Sequence, residues 1–288
     1  MIVIVGFIVV IGSVLGGFTM AGGEIGALIH PSEIVTIGGA AFGGMLVSSS
    51  PKVVIDLFKM ILASMGGNPF SKAAYRDLMM CMYDLLKTAR REGLLALESH
   101  ISHPHDSAIF QKYPLVAKNH HLSEFISGAL STVIDGSASP QQLSAMLDKE
   151  LKVMEDEHHI PLIVLTKTAD ALPGFGIVAA VLGIVITMGA ISGPVEEIGH
   201  KVGAALVGTF LGILMSYGFL APLAAQLELR GMAEFAFFRT TAAIILAFVD
   251  NVPPRVAIEQ ARRGLTSDVR PNREELDKML AEVDAAGK

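Results

Sequence analysis

The chain is poor in cysteine, in charge and in basic character, and each shortage excludes something. Its one cysteine, Cys81, rules out an intramolecular disulfide framework and a thiolate metal site, and a lone thiol of this kind reads as a small buried hydrophobe. Charged residues make up only 17% of the 288 positions, against 51% hydrophobic residues and a mean hydropathy of +0.53. That balance describes a membrane protein with a sizeable polar part. A net charge of −6 provides no basic footprint for nucleic acid. No Lys or Arg precedes the opening stretch MIVIVGFIVVIGSVLGGFTMAGG, which runs uncharged for 23 residues. A secretory signal would carry a basic start and a shorter core, so this segment is expected to stay as a membrane helix.

Long uncharged runs are what the sequence does have. Ile2 to Met20 and Ile34 to about Ser50 form the first two. Ala171 to Val195 and Val202 to Leu227 form the others, separated by a short link with Glu196, Glu197 and Lys201. The last two each exceed the ~20 apolar residues that a helix needs to cross a bilayer. The expected fold is an all-α membrane protein, with four transmembrane helices in two hairpins and a helical cytoplasmic domain. Expected boundaries are 1–51 for the first hairpin, 52–170 for the cytoplasmic domain, 171–227 for the second hairpin and 228–288 for a cytoplasmic tail. Orientation follows from basic residues: 12 Lys and Arg fall in 52–170, 9 follow Leu227, and the short links hold only Lys201. The positive-inside rule puts the large loop and both termini in the cytoplasm.

Within the polar part, a helix is expected from about Ser71, with Tyr75, Leu78, Met79, Met82, Leu85, Leu86 and Ala89 as its apolar stripe. It would continue through RREGLLALE, weakened at Gly93. Arg90 and Glu98 would then share a face about 12 Å apart. Further helices are expected at Leu122 to Ile134 and Leu143 to Glu157. Met232 to Val249 is cut by Glu234 and Arg239, each costing about +2.5 to 3.5 kcal/mol in a membrane centre, and is expected as a partly buried cytoplasmic helix. Pro271, Asn272 and Glu275 have the form of a capped helix start ahead of Leu276, Met279, Leu280 and Val283.

None of the four runs contains an ionisable side chain; Ser13, Thr187, Thr209, Ser216 and Tyr217 are the weak polar groups present. A proton pump or carrier needs such a group within the bilayer, so if ions cross here the titrating carboxylate belongs to another chain. Ala204, Gly208, Gly212 and Ser216 form a ladder of small residues, on which either another chain or this chain's own helices can lie close. Thr209 sits beside it. Pro222 lies in a run that reads as helical on both sides and removes the bond to the Gly218 carbonyl; Pro173 reads as the start of the third membrane helix.

The segments LPGFGIVAAVLGI, VGTFLGILMSYGFLAPLA and RREGLLALE, with GGFTMAGGEIGAL and HPSEIVTIGGA, occur in an order and spacing that resemble the MotA family of flagellar stator subunits, within the MotA/TolQ/ExbB proton channel superfamily. The resemblance spans nearly the whole chain. It implies a channel subunit and not an enzyme, with no cofactor and H+ as the transported ion. It implies a pentamer in the bacterial inner membrane around a MotB dimer that carries the ion-binding aspartate, with torque delivered to the rotor protein FliG. By position it makes Arg90, Glu98 and Glu150 rotor-contacting, Pro173 and Pro222 torque-coupling, and Ala180 and Thr209 lining for the partner's aspartate. Sodium-driven relatives tend to have threonine where this chain has Ala180. Gly128 departs from an acidic position in some relatives. His100, His103 and His105 match no family motif, and with no carboxylate or cysteine completing a four-ligand set, no metal site is expected. His120, His121, His158 and His159 read as solvated surface. An ExbB/TolQ-like energiser is the alternative within the superfamily, and a secondary transporter the alternative outside it.

Overall fold

In a computed structural model that describes residues 2–286, the chain is helical throughout, with no strand among the described residues. In order come α1 (Ile2–Met20), a 3₁₀ turn (Ile25–Leu28), α2 (Pro31–Val47), α3 (Pro51–Ser64), α4 (Lys72–Glu92), a 3₁₀ turn (Leu94–Leu97), α5 (Glu98–Ile101) and a 3₁₀ turn (Phe110–Lys112). They are followed by α6 (Pro114–Ala117), α7 (His120–Ile134), α8 (Pro140–Gly189), α9 (Val195–Ile213), a π-helical segment (Leu214–Leu220), α10 (Ala221–Val249), α11 (Pro254–Arg263) and α12 (Arg273–Ala286). Four helices are long and apolar enough to cross a membrane: α1, the 25–47 stretch ending with α2, part of α8, and part of the continuous 195–249 run.

The chain divides into two compact units, and the boundaries differ from those expected. The first unit takes 2–67 and 157–230, the second 68–156 and 231–286. Residues 52–67 and 157–170 therefore group with the membrane helices, because α3 packs its apolar face on them. Leu57 joins Met45, Leu162, Leu165, Leu223 and Leu227 in one buried cluster. Ile37, Ala41, Leu172 and Ala179 form a second. Outside these seams the first unit is apolar outward. α1 buries nothing, and Ile177, Val181, Ile184, Val185 and Ile186 of α8 are exposed. So much outward apolar surface belongs in lipid or against other subunits.

The second unit is built on α4. Ser71 caps it by accepting from the Ala74 N–H, and the expected stripe from Tyr75 to Ala89 is buried. Around it pack α6, α7, α11, α12 and the 231–249 part of α10. That part of α10 is more deeply placed than expected, since Phe237, Phe238, Ile244 and Ile245 are fully enclosed. Three ion pairs join α4 to α12: Lys72 to Glu275 at 2.9 Å, Arg76 to Glu282 at 2.6 Å and Lys87 to Asp284 at 2.7 Å. The expected cap of α12 forms as a reciprocal box. Asn272 Oδ1 accepts from the Glu275 N–H at 2.8 Å and Glu275 Oε2 from the Asn272 N–H at 2.7 Å.

Four local expectations are corrected. α4 does not survive Gly93: that residue ends the helix at a φ of 94°, a conformation that only glycine adopts freely. α2 starts at Pro31 and not at Ile34, so Glu33 lies inside it. The link between the last two membrane helices is 190–194, and Glu196, Glu197 and Lys201 belong to the first turns of α9. Leu143 to Glu157 is not a separate helix but the start of α8, which runs 50 residues, about 75 Å.

Candidate functional site

The site of interest lies where α8, α9 and α2 meet in the first unit. α8 and α9 approach to backbone contact because both carry glycine at the crossing. A β-carbon on Gly176 would fall 2.9 Å from the Gly208 carbonyl oxygen and 3.2 Å from the Gly212 α-carbon. One on Gly212 would fall 2.6 Å from the Leu172 carbonyl oxygen. A methyl group at either position would force the helices apart, which is how small residues hold helices together in lipid. Gly208 and Gly212 of the small-residue ladder are thus taken up by this chain's own α8. Ala204 remains half-buried, and Ser216 is buried with no hydrogen-bond partner for its hydroxyl.

Ala180 and Thr209, both half-buried, sit beside this crossing. The Ala180 N–H nitrogen lies 3.4 Å from where a Gly208 β-carbon would be, and the Thr209 α-carbon 3.3 Å from where one on Gly176 would be. The backbones of the two candidate lining positions therefore lie at the same seam. Pro173 is placed differently from expectation. It is not at a helix start but deep inside α8, as is Pro161, so each removes a backbone bond, to the carbonyls of Ala169 and Glu157 respectively. Pro222 is the second residue of α10, directly after the π-helical Leu214–Leu220. The π register absorbs the bond that Pro222 cannot make to Gly218. On its other side that segment receives α1: the Phe7 and Phe219 rings lie 5.0 Å apart.

The candidate rotor-contact residues belong to the second unit. Arg90, exposed near the end of α4, donates from Nη2 to the carbonyl oxygen of Asn251 at 2.9 Å; Asn251 holds a left-handed turn at a φ of 63°. Glu98, also exposed, opens α5 and lines a groove with Ser102, Ser127, Gly128, Ser131 and Asp135. With the helix broken at Gly93, the two residues are not on one helical face. Glu150 is exposed on α8. Among the histidines, His105 and His120 approach through their ring nitrogens at 3.1 Å, His100 bonds Ser107 at 2.9 Å, and His158 is half-buried, bonding the Leu227 carbonyl at 3.3 Å. His158 is therefore not simple solvated surface, whereas His120 remains exposed as expected.

Residues 4–93 match the model for the motility protein A N-terminal region, and residues 117–249 that for the MotA/TolQ/ExbB proton channel family. Chemotaxis protein LafT of Vibrio parahaemolyticus is 38% identical over 277 residues, covering 96% of this chain and 97% of the relative. Motility protein A of Salmonella typhimurium is 35% identical over 283 residues, covering 98% and 96%. The chain belongs to the motility protein A family. As a member it is a multi-pass membrane protein and a flagellar stator subunit of a proton channel family. Its fold is shared with the solved C. jejuni MotAB structure, with a TM-score of 0.77, 21% identity and coverage of 94% of this chain and 98% of that one. It is shared also with the flagellar MotAB stator complex from Bacillus subtilis, with a TM-score of 0.74, 23% identity and coverage of 89% and 92%.

One residue of this motility protein A chain escaped the sequence reading. Glu33 is only 7% exposed, and its Oε2 has no hydrogen-bond partner. It lies 2.7 Å from where a Gly208 β-carbon would be, at the seam where the Ala180 backbone nitrogen also lies. Its signal in the sequence was HPSEIVTIGG, where the proline can open a helix at N1 and so place the carboxylate inside it.

Proposed function

We propose that this chain builds the wall of a proton pathway in the bacterial inner membrane and turns proton entry into torque, as one of five copies around a MotB dimer, with both termini cytoplasmic. The observation that carries the reading is the seam between α8 and α9. Gly176, Gly208 and Gly212 bring the backbones together, the backbones of Ala180 and Thr209 lie at the join, and neither 171–189 nor 202–227 supplies a charged side chain. Such a wall needs a carboxylate from a single-span partner, and the MotB aspartate has that chemistry. Ala180 in place of threonine removes a hydroxyl that could help hold a metal cation, which favours protons.

In this reading Pro173 and Pro222 carry movement out of the membrane helices. The π segment ahead of Pro222 gives that helix a register that can change. Arg90, Glu98 and Glu150 present exposed charge to FliG. No cofactor takes part. The test is to purify the complex from its native membrane and identify what accompanies it. A one-helix protein with a membrane aspartate is expected, at two copies per five, with proton flux after reconstitution. Its absence would overturn the channel-wall reading, and flux carried by Na+ alone would overturn the ion assignment.

A further inference from the structure

We propose that Glu33 is a second proton-binding site of the channel, a station on the outer side of the path that this chain supplies itself. The inference rests on the proton-channel reading and adds a residue to it. The observations are geometric. Glu33 belongs to the first turn of α2, but its carboxylate is turned onto Gly208 of α9, at the point where the Ala179 methyl and the Ala180 backbone nitrogen of α8 also close in on that glycine. Gly208 lies seven residues beyond Lys201, the last charge on that helix, so the carboxylate sits about 10 Å inside it at 1.5 Å per residue. This chain alone buries it, and Oε2 has no partner.

An acidic residue in a first helical turn commonly serves its own helix, bonding back to the N-cap N–H or complementing the dipole. Glu33 does not bond back: the N-cap is His30, without a side-chain cap, and Oε2 is directed at the neighbouring helix. A buried carboxylate without a partner is unstable as an anion, so it takes up a proton or a cation. A metal cation needs several oxygen ligands, whereas Ala179, Ala180 and Gly208 offer no side-chain oxygen. A proton needs only one oxygen. Glu33 then accepts a proton on Oε2 from the outer side, becoming a neutral carboxylic acid, and returns to carboxylate when it passes that proton inward to the partner's carboxylate. No other bond changes.

The titratable groups on the elements around it are few. His30 occupies the N-cap position of α2 and meets His200 of α9 with ring centroids 5.9 Å apart. Glu24 precedes the 3₁₀ turn, and Glu196, Glu197 and Lys201 lie in the first turns of α9. Neither α1 nor the 171–189 part of α8 carries a charge.

The experiment uses the full complex, co-purified with its partner and reconstituted in liposomes, with proton flux followed across external pH for wild type, Glu33→Gln and Glu33→Asp. Glu33→Gln keeps the shape and removes the proton site. It is expected to assemble at wild-type abundance, to conduct about tenfold less or worse, and to lose a titration step that wild type shows. Glu33→Asp is expected to conduct with that step moved along the pH axis. A Gln variant with wild-type flux and pH profile overturns the proposal. If the Gln variant does not assemble, the Asp variant decides: a moved step supports the site and an unmoved one overturns it. A wild-type complex without proton flux overturns the channel reading beneath it, an outcome visible before any variant is compared.

Discussion

In the proposed reading Arg90 has two duties. Its guanidinium is exposed, as a rotor-facing charge should be, but one N–H is held by the Asn251 carbonyl at the turn between α10 and α11. Reversing charge at both Arg90 and Glu98 is expected to abolish swimming while leaving the complex in the membrane at near-normal abundance, measured by motility halos and membrane immunoblots. Arg90→Lys keeps the charge and should retain most motility, and a Lys variant as impaired as the reversal would assign Arg90 to holding the turn. Glu259 gives the second prediction at this scale. Hydrogen bonds from Arg262 and then Arg263 hold its carboxyl down from the usual 4.5 to about 2. A depressed folded value means stabilisation that is complete above about pH 4.5 and lost as pH falls toward 2. Thermal unfolding followed across that window should show Glu259→Gln less stable by about 1 kcal/mol at neutral pH, with the difference vanishing in acid.

At the level of the element, helices of this chain end and bend where backbone chemistry requires it. Gly93 stops α4 and separates Arg90 from Glu98, whereas Pro161 and Pro173 fail to stop α8. The difference is that neighbouring packing can bridge one missing hydrogen bond, as it does around buried Leu165 and Leu172, but cannot return a positive φ to the helical region. Pro222 takes a third course, with the π segment ahead of it. Replacing Pro222 by Ala restores the missing donor and favours a regular α register by about 3 kcal/mol. The complex should therefore assemble normally and generate little torque, read from tethered-cell rotation against membrane abundance. Full torque would remove Pro222 from the coupling, and loss of the complex would make it a packing residue.

For the whole molecule, the unequal distribution of Lys and Arg predicts which surfaces face which compartment. Cys81 is fully buried and burial pushes its thiol far up, so the native cysteine is a quiet background for labelling. An impermeant maleimide applied to intact spheroplasts should modify Ser192→Cys in the outer link and spare Ser267→Cys near α12 until the membrane is opened. Both serines are exposed. Labelling of Ser267→Cys in closed cells would invert the topology.

The run lengths, the stripe on α4 and the box that starts α12 were legible in the sequence because each depends on residues within a turn or two of one another. Hydropathy alone located four crossings, and the ordered motifs identified the family. The sequence left open whether Gly208 and Gly212 serve this chain or another, and it misplaced Glu33 in a link. Both depend on how closely α8, α9 and α2 approach, and that distance is decided by glycines far apart in the chain. Local pattern determined which helices form. Only the packing of backbone on backbone at Gly176 and Gly208 decided that a lone carboxylate would be enclosed among them, because burial is a property of neighbours that the sequence does not place side by side.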